Sequence, residues 1–419
     1  MLFSDVIGQE EVKHLLRLSV EEGRIPHAQL FTGPTGAGKL PLALAYAQYI
    51  ACNHHVNTQG AEMRGLNSEE MRGVNGEDAQ GGVSGNSAYG GAADTHEEAC
   101  GKCATCVQFG QLQHPDLHFA FPIVKTDDGD TCNDFMSQWR QQLLTQPYFD
   151  IDDWYRTLGI DNKQGLIYEK ESSEILRKLS LKSFADGYKF MIIWQPEKMN
   201  ESCANKLLKL IEEPPDKTLF LLVSEQPERL LPTIVSRCQE IRVPRLDEGS
   251  IAAALMERYE MSATEAQDTA HIANGSMTAA LHIAAKREQN NLFFADFVAL
   301  MRNAWRVGQR KEYNALIELR QWSIDIADSK VGRERQKAFL QYVQRQIREN
   351  YIANFRQPAM NYQTTEERDF SSKFSRFISD RNVERIMDEL SKAEMQISQN
   401  GNAKIIFFDL CLQMIVLIK

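Results

Sequence analysis

The stretch Gly33-Pro-Thr-Gly-Ala-Gly38-Lys39 constrains this chain more than any other. Gly33, Gly36 and Gly38 would let backbone N–H groups wrap phosphate oxygens. Thr35 supplies a hydroxyl, and Lys39 adds a point charge. The loop follows the short apolar run His27–Thr32 and precedes the alanine-rich Leu42–Ala51. A buried strand running into such a loop, with a helix behind it, turns the positive helix end toward an anion. The alternative is a glycine turn that holds no ligand. The strand–loop–helix context argues against that as the origin of the motif and leaves it open as its present state.

The groups that would act on a bound nucleotide are missing. Leu40 stands where a Ser or Thr hydroxyl would ligate Mg²⁺. An acidic pair should end a second buried strand, and the candidate strand is Lys189–Trp194. There Trp194 and Gln195 occupy the two positions, and Glu197 comes two residues late, on the face of Gln195 if the chain continues extended. Without metal or base, phosphoryl transfer loses its main electrostatic stabilisation. The expectation is weak or no ATP or ADP binding, and no intrinsic hydrolysis.

The 419 residues call for two or three domains. A 43% hydrophobic and 25% charged composition is that of a soluble globular protein. A net charge of −10 makes a poor stand-alone nucleic-acid binder. The start, Met1–Gln9, does not read as a signal peptide. The apolar stretch Ile405–Ile418 contains Asp409 and Gln413 and is too short to span a bilayer. A cytoplasmic location with no membrane contact is expected, and there the eight cysteines are free or metal-bound.

Apolar spacing at Val12, Leu15, Leu16 and Val20 predicts a first helix. Residues 172–182 read as a helix, Asn200–Glu213 as another stopped by Pro214-Pro215, and Thr218–Ser224 as a buried strand. Alternating strands and helices predict an α/β fold, a parallel sheet with helices on both faces, over residues 1–245. Residues 53–98, rich in Gly, Asn, Ala, Ser and Glu, predict a flexible insertion. Residues 126–165 give little. Residues 246–287 predict a small helical bundle. Residues 288–419 are helical again, with a stripe at Phe293, Phe297, Leu300, Met301 and Trp305, and a polar loop around Gln357–Ser371.

Cys100, Cys103 and Cys106 have tight ligand spacing, and Cys52 closes the helix behind the phosphate loop. Four thiolates would make a closed tetrahedral zinc site, structural rather than catalytic. His54, His55 and His96 compete with Cys52 for the fourth place. The long insert does not forbid the site, because loop closure costs only about 0.6 kcal/mol per doubling of length. Cys132, Cys203, Cys238 and Cys411 read as small apolar residues.

Four segments resemble bacterial clamp-loader subunits of DNA polymerase III: Phe3-Ser-Asp-Val-Ile-Gly-Gln9, Pro26–Gly33, Ala204–Pro215 and Leu230–Gln239. The resemblance covers roughly residues 1–245, apart from the insertion and residues 126–165, and is nearest the delta-prime type, related to gamma/tau; the C-terminal part matches only in being helical. It implies an AAA+, RecA-like parallel sheet with a zinc module around 100–106, a helical lid at 246–287 and an all-α collar domain at 288–419. Arg237, in an intact Ser-Arg-Cys motif, matches an arginine finger that reaches a neighbour's nucleotide. Ser224 matches the polar first sensor, and Thr278 stands where the second sensor is an arginine. The resemblance implies a subunit without its own ATPase, at one end of a pentameric ring. Its partners would be gamma/tau and delta subunits, the sliding clamp and primed DNA. Two other readings remain: an active gamma/tau-like ATPase using Glu197 or Asp186, and a zinc-containing nucleic-acid adaptor.

Overall fold

The computed structural model describes residues 1–52, 98–126, 129–160, 164–184, 187–328, 331–356 and 360–418. The predicted insertion therefore lies outside the described residues, except at Glu98, and so do His54, His55, His96 and Asp186. Glu98 belongs to the folded part: its carboxylate accepts the N–H groups of Phe3 (2.9 Å) and Ser4 (2.7 Å). The chain divides into two compact units, residues 1–250 with 275–278, and residues 251–274 with 279–419.

The first unit is built on a five-stranded sheet: β1 (Ala28–Thr32), β2 (Leu117–Ala120), β3 (Lys189–Trp194), β4 (Thr218–Ser224) and β5 (Gln239–Arg242). The order is β2-β3-β4-β1-β5 and every pairing is parallel. Every residue of β1, β3 and β4 is buried, so these strands read as continuous apolar runs rather than alternations. Parallel pairing requires crossovers, and the helices Lys39–Ala51, Glu169–Ser180 and Glu201–Glu212 supply them. Asn200 caps the last of these by accepting the Cys203 N–H at 2.9 Å. That helix ends before Pro214-Pro215, which cannot continue it.

The first helix spans Glu10–Glu21, with Val12 and Leu16 buried, but Leu15 is 64% exposed. The apolar stripe is thus narrower than its sequence spacing suggests. Residues 126–165 hold the helices Met136–Thr145 and Ile151–Thr157, each centred on a fully buried indole, Trp139 and Trp154. Their rings pack 5.1 Å apart, and Trp139 stacks on Phe121 at 4.2 Å. Helices of seven to ten residues are too short for an apolar period to repeat, so these two leave no legible pattern in the sequence.

Three helices, Glu248–Tyr259, Ala263–Ala273 and Met277–Ala285, occupy the 246–287 stretch. Beyond them run Arg287–Arg310, Asn314–Ile326, Arg333–Ala353, Thr365–Phe374, Val383–Ser398 and Ala403–Leu417. Phe297, Leu300, Met301, Phe339, Leu390 and Phe407 form part of one core. Each such side chain contributes about 1.5–3 kcal/mol by leaving water. The loop expected at 357–371 is partly helix. Thr364 accepts the Glu367 N–H at 3.2 Å while Glu367 accepts the Thr364 N–H at 2.9 Å, and this reciprocal cap starts a helix inside polar sequence. Among the described residues no helix is long and apolar enough to cross a membrane.

Candidate functional site

The phosphate loop joins β1 to the helix Lys39–Ala51. Gly36 (φ 78°) and Gly38 (φ 88°) take left-handed conformations that side chains disfavour. A Cβ on Gly36 would also lie 2.1 Å from Ser276 Oγ. Lys39 Nζ does not reach into open space. It donates to Gly33 O (2.7 Å) and Pro34 O (2.6 Å), and Glu225 Oε1 lies 3.8 Å away. Burial brings this ammonium down to about 8, against the opposing pull of Glu225 and Glu197. Thr35 donates its hydroxyl to Glu225 Oε2 at 2.8 Å. Lys39 and Thr35, the side chains that would meet a phosphate, are therefore engaged by the loop's own carbonyls and by Glu225.

Leu40 is buried, 5% exposed. At the end of β3, Trp194 packs its indole 5.1 Å from Phe149 and 5.3 Å from Trp139. Gln195 turns left-handed (φ 55°) and a 3-10 turn, Pro196–Lys198, follows. The extended continuation expected through Glu197 is absent. Glu197 Oε1 instead accepts the N–H groups of Glu225 (2.9 Å) and Gln226 (3.1 Å), which fixes the loop after β4. The hydroxyls of Ser224 and Thr278 are buried with no hydrogen-bond partner. Tyr148 lies across the loop, 3.1 Å from where a Gly38 Cβ would stand, and its hydroxyl accepts the Ile7 N–H at 2.8 Å. Lys39, Tyr148, Phe149, Trp194, Glu225 and Thr278 help to line a remaining cavity of about 20 Å³. That is room for one water, whose minimum requirement is about 10–15 Å³. Sequence reasoning missed Tyr148 and Phe149, because no local pattern announces them.

Cys52, Cys100, Cys103 and Cys106 come together, with their sulfurs all within 4.8 Å of one another. Backbone N–H groups point at the sulfurs: Cys100 N at Cys52 Sγ (3.4 Å), Cys103 N at Cys100 Sγ (3.3 Å) and Cys106 N at Cys103 Sγ (3.4 Å). Burial raises the Cys100 thiol, but donors from Lys102 and Cys103 outweigh it and leave the group at about 6. Burial pushes Cys106 up. Sulfurs on a tetrahedral Zn²⁺ lie about 3.8 Å apart for Zn–S bonds near 2.3 Å. The cluster fits a metal of that kind, held by four thiolates with no position for substrate. Cys132, Cys203 and Cys411 are buried, and Cys238 is half-buried.

Arg237 follows the short helix Pro232–Val235. Its guanidinium bridges to Glu212 Oε1 at 2.6 Å and donates to Thr233 O at 2.8 Å, while remaining 37% exposed. It is at the surface and tethered to the end of the helix Glu201–Glu212.

The strand order, the glycine loop after β1 and the four-cysteine cluster define a parallel α/β module of the phosphate-loop class. The sequence matches the family described as DNA polymerase III, delta subunit, over residues 8–79 and 88–247. The chain belongs to that family. It is 26% identical over 251 residues to DNA polymerase III subunit delta' of Bacillus subtilis, covering 60% of this chain and 52% of that protein. It is 23% identical over 253 residues to DNA polymerase III subunit tau/gamma of Haemophilus influenzae, covering 60% of this chain and 25% of that protein. The chain thus spans about half or less of the length of these relatives. Among solved structures, a DNA polymerase III gamma subunit-related protein of Thermotoga maritima aligns over 98% of this chain and 100% of its own at 13% identity, with a TM-score of 0.35.

Proposed function

We propose that this chain is a delta-prime-like clamp-loader subunit that does not turn over ATP and lends Arg237 to the nucleotide of a neighbouring subunit. The observation that carries the reading is the closed phosphate loop, where about 20 Å³ remains beside Lys39. A nucleotide triphosphate needs far more, since ligand pockets run from about 300 Å³ upward. Leu40 and Trp194 agree with this, because neither can ligate Mg²⁺ or orient water. Arg237 agrees too: a half-exposed guanidinium on a weak surface ion pair can exchange Glu212 for a γ-phosphate at little cost. Exposed Ile405, Leu412 and Val416 on the helix Ala403–Leu417 offer apolar surface for assembly with gamma/tau and delta subunits. In this reading the assembled ring opens the sliding clamp on primed DNA, and the cysteine cluster holds a structural zinc.

The test is ATP turnover by the isolated chain and by the complex reconstituted with gamma/tau and delta subunits. The isolated chain should show none, and Arg237→Ala should lower turnover of the complex. Brisk turnover by the isolated chain that depends on Lys39 would instead establish an active gamma/tau-like subunit. The retained Lys39 and the tau/gamma relative favour that second reading.

A further inference from the structure

We infer a phosphate-binding site in the second unit, independent of the phosphate loop and of the clamp-loader reading. A cleft of about 480 Å³ opens between the C-terminal end of the helix Arg333–Ala353 and the helix Thr365–Phe374. That volume suits a small ligand. Arg356, Gln363, Arg368, Ser371 and Ser375 line it, and no aspartate or glutamate is among its described lining residues. In a chain of net charge −10, a cleft lined by two arginines and, among the described residues, no carboxylate is out of character.

Two observations point to a ligand. Gln363 is 1% exposed and Ser371 is 2% exposed, yet both amide atoms of Gln363 and the hydroxyl of Ser371 lack a hydrogen-bond partner. Buried polar groups are almost always paired, and an unmade bond at such a group is costly. Second, no described hydrogen bond or ion pair holds the Arg356 guanidinium. Arg356 itself takes a left-handed backbone conformation (φ 55°) that non-glycine residues rarely adopt.

The spacing of Arg368, Ser371, Ser372 and Ser375 puts them on one helical face, toward the cleft. Arg368 is anchored by its bond to Gln363 O (3.2 Å) and its approach to Asp268 (3.8 Å). Ser372 already donates to Asp369 O (2.7 Å). That leaves the Arg356 fork as the exposed donor, with the Gln363 amide N–H and the Ser371 hydroxyl buried and unpartnered beside the cleft. Guanidinium forks match phosphate oxygens two at a time, and neutral donors complete the shell of a group with several acceptors. The phosphate could be carried by a free small molecule or by a nucleic-acid strand.

Isothermal titration of the full chain with inorganic pyrophosphate, and separately with single-stranded oligothymidylate, tests the site. Saturable binding that Arg356→Ala weakens at least tenfold is the expected result. If pyrophosphate binds, the source is a free phosphate compound; if only the oligonucleotide binds, it is a strand. Gln363→Leu should weaken the same binding while holding or raising the melting temperature, since it removes an unpaired buried amide. No binding of either probe, equal binding by Arg356→Ala, or binding lost in Lys39→Met but kept in Arg356→Ala would overturn the proposal.

Discussion

Tyr148 closes the phosphate loop over Gly38: its ring stands 3.1 Å from where a Gly38 Cβ would be, and its hydroxyl is fixed by the Ile7 N–H. The two residues are far apart in sequence and on different elements. Their approach leaves the loop with the backbone form of an anion site and almost no room for an anion.

The indoles behind Tyr148 make this closure part of the core. Trp139 is fully buried among Phe121, Phe149, Trp154 and Trp194. Trp139→Ala should cost about 3–5 kcal/mol by loss of burial and creation of a cavity. Urea unfolding of the two proteins measures it, and a loss below about 1 kcal/mol would contradict this packing.

Lys39 gives a pH signature. Its folded value, about 8, lies below the ordinary 10.5, so between these values the unfolded chain binds more protons than the folded one. Stability then rises with pH across that window, and the penalty of the buried charge is complete below pH 8. Lys39→Met lacks this contribution. The stability difference between wild type and variant should shift toward wild type by about 3 kcal/mol from pH 8 to 10.5, measured by denaturant unfolding at each pH. A flat difference would mean that the ammonium is not desolvated.

The Arg237–Glu212 pair separates the arginine's tether from its proposed role. Both side chains are partly exposed, so Glu212→Ala should change stability by no more than about 1 kcal/mol. In the reconstituted complex, Glu212→Ala should preserve ATP turnover and Arg237→Ala should lower it. Equal losses would mean that the ion pair, not the free guanidinium, matters.

Cys103→Ser should release one metal ion per chain, read by elemental analysis, and lower the melting temperature. Metal binding to a folded thiolate cluster is linked to folding itself. A parent protein purified without any bound metal would refute the assignment.

Thr364→Ala tests the unexpected helix. Loss of its cap on Glu367 should cost about 1 kcal/mol, seen in denaturant unfolding.

Wherever a signal was local, the sequence carried it. The buried strands Lys189–Trp194 and Thr218–Ser224 appear at their predicted positions, because continuous apolar runs bounded by turns allow little else. The glycine loop and the Cys100-x₂-Cys103-x₂-Cys106 spacing were equally plain. Thr364 and Glu367 also stood in view, but the polar residues around them masked a two-residue capping signal.

By itself the sequence determined the buried strands Lys189–Trp194 and Thr218–Ser224, the loop's backbone form and the absence of a hydroxyl at Leu40 and carboxylates at Trp194 and Gln195, since each depends on residue identity or short-range spacing. Only the tertiary structure decided that Tyr148 and Phe149 fill the pocket, that Cys52 meets the other three cysteines, and that Glu197 braces a loop instead of facing a metal. Those outcomes depend on which distant segments the parallel crossovers bring together, and close packing, not local preference, selects the contacts.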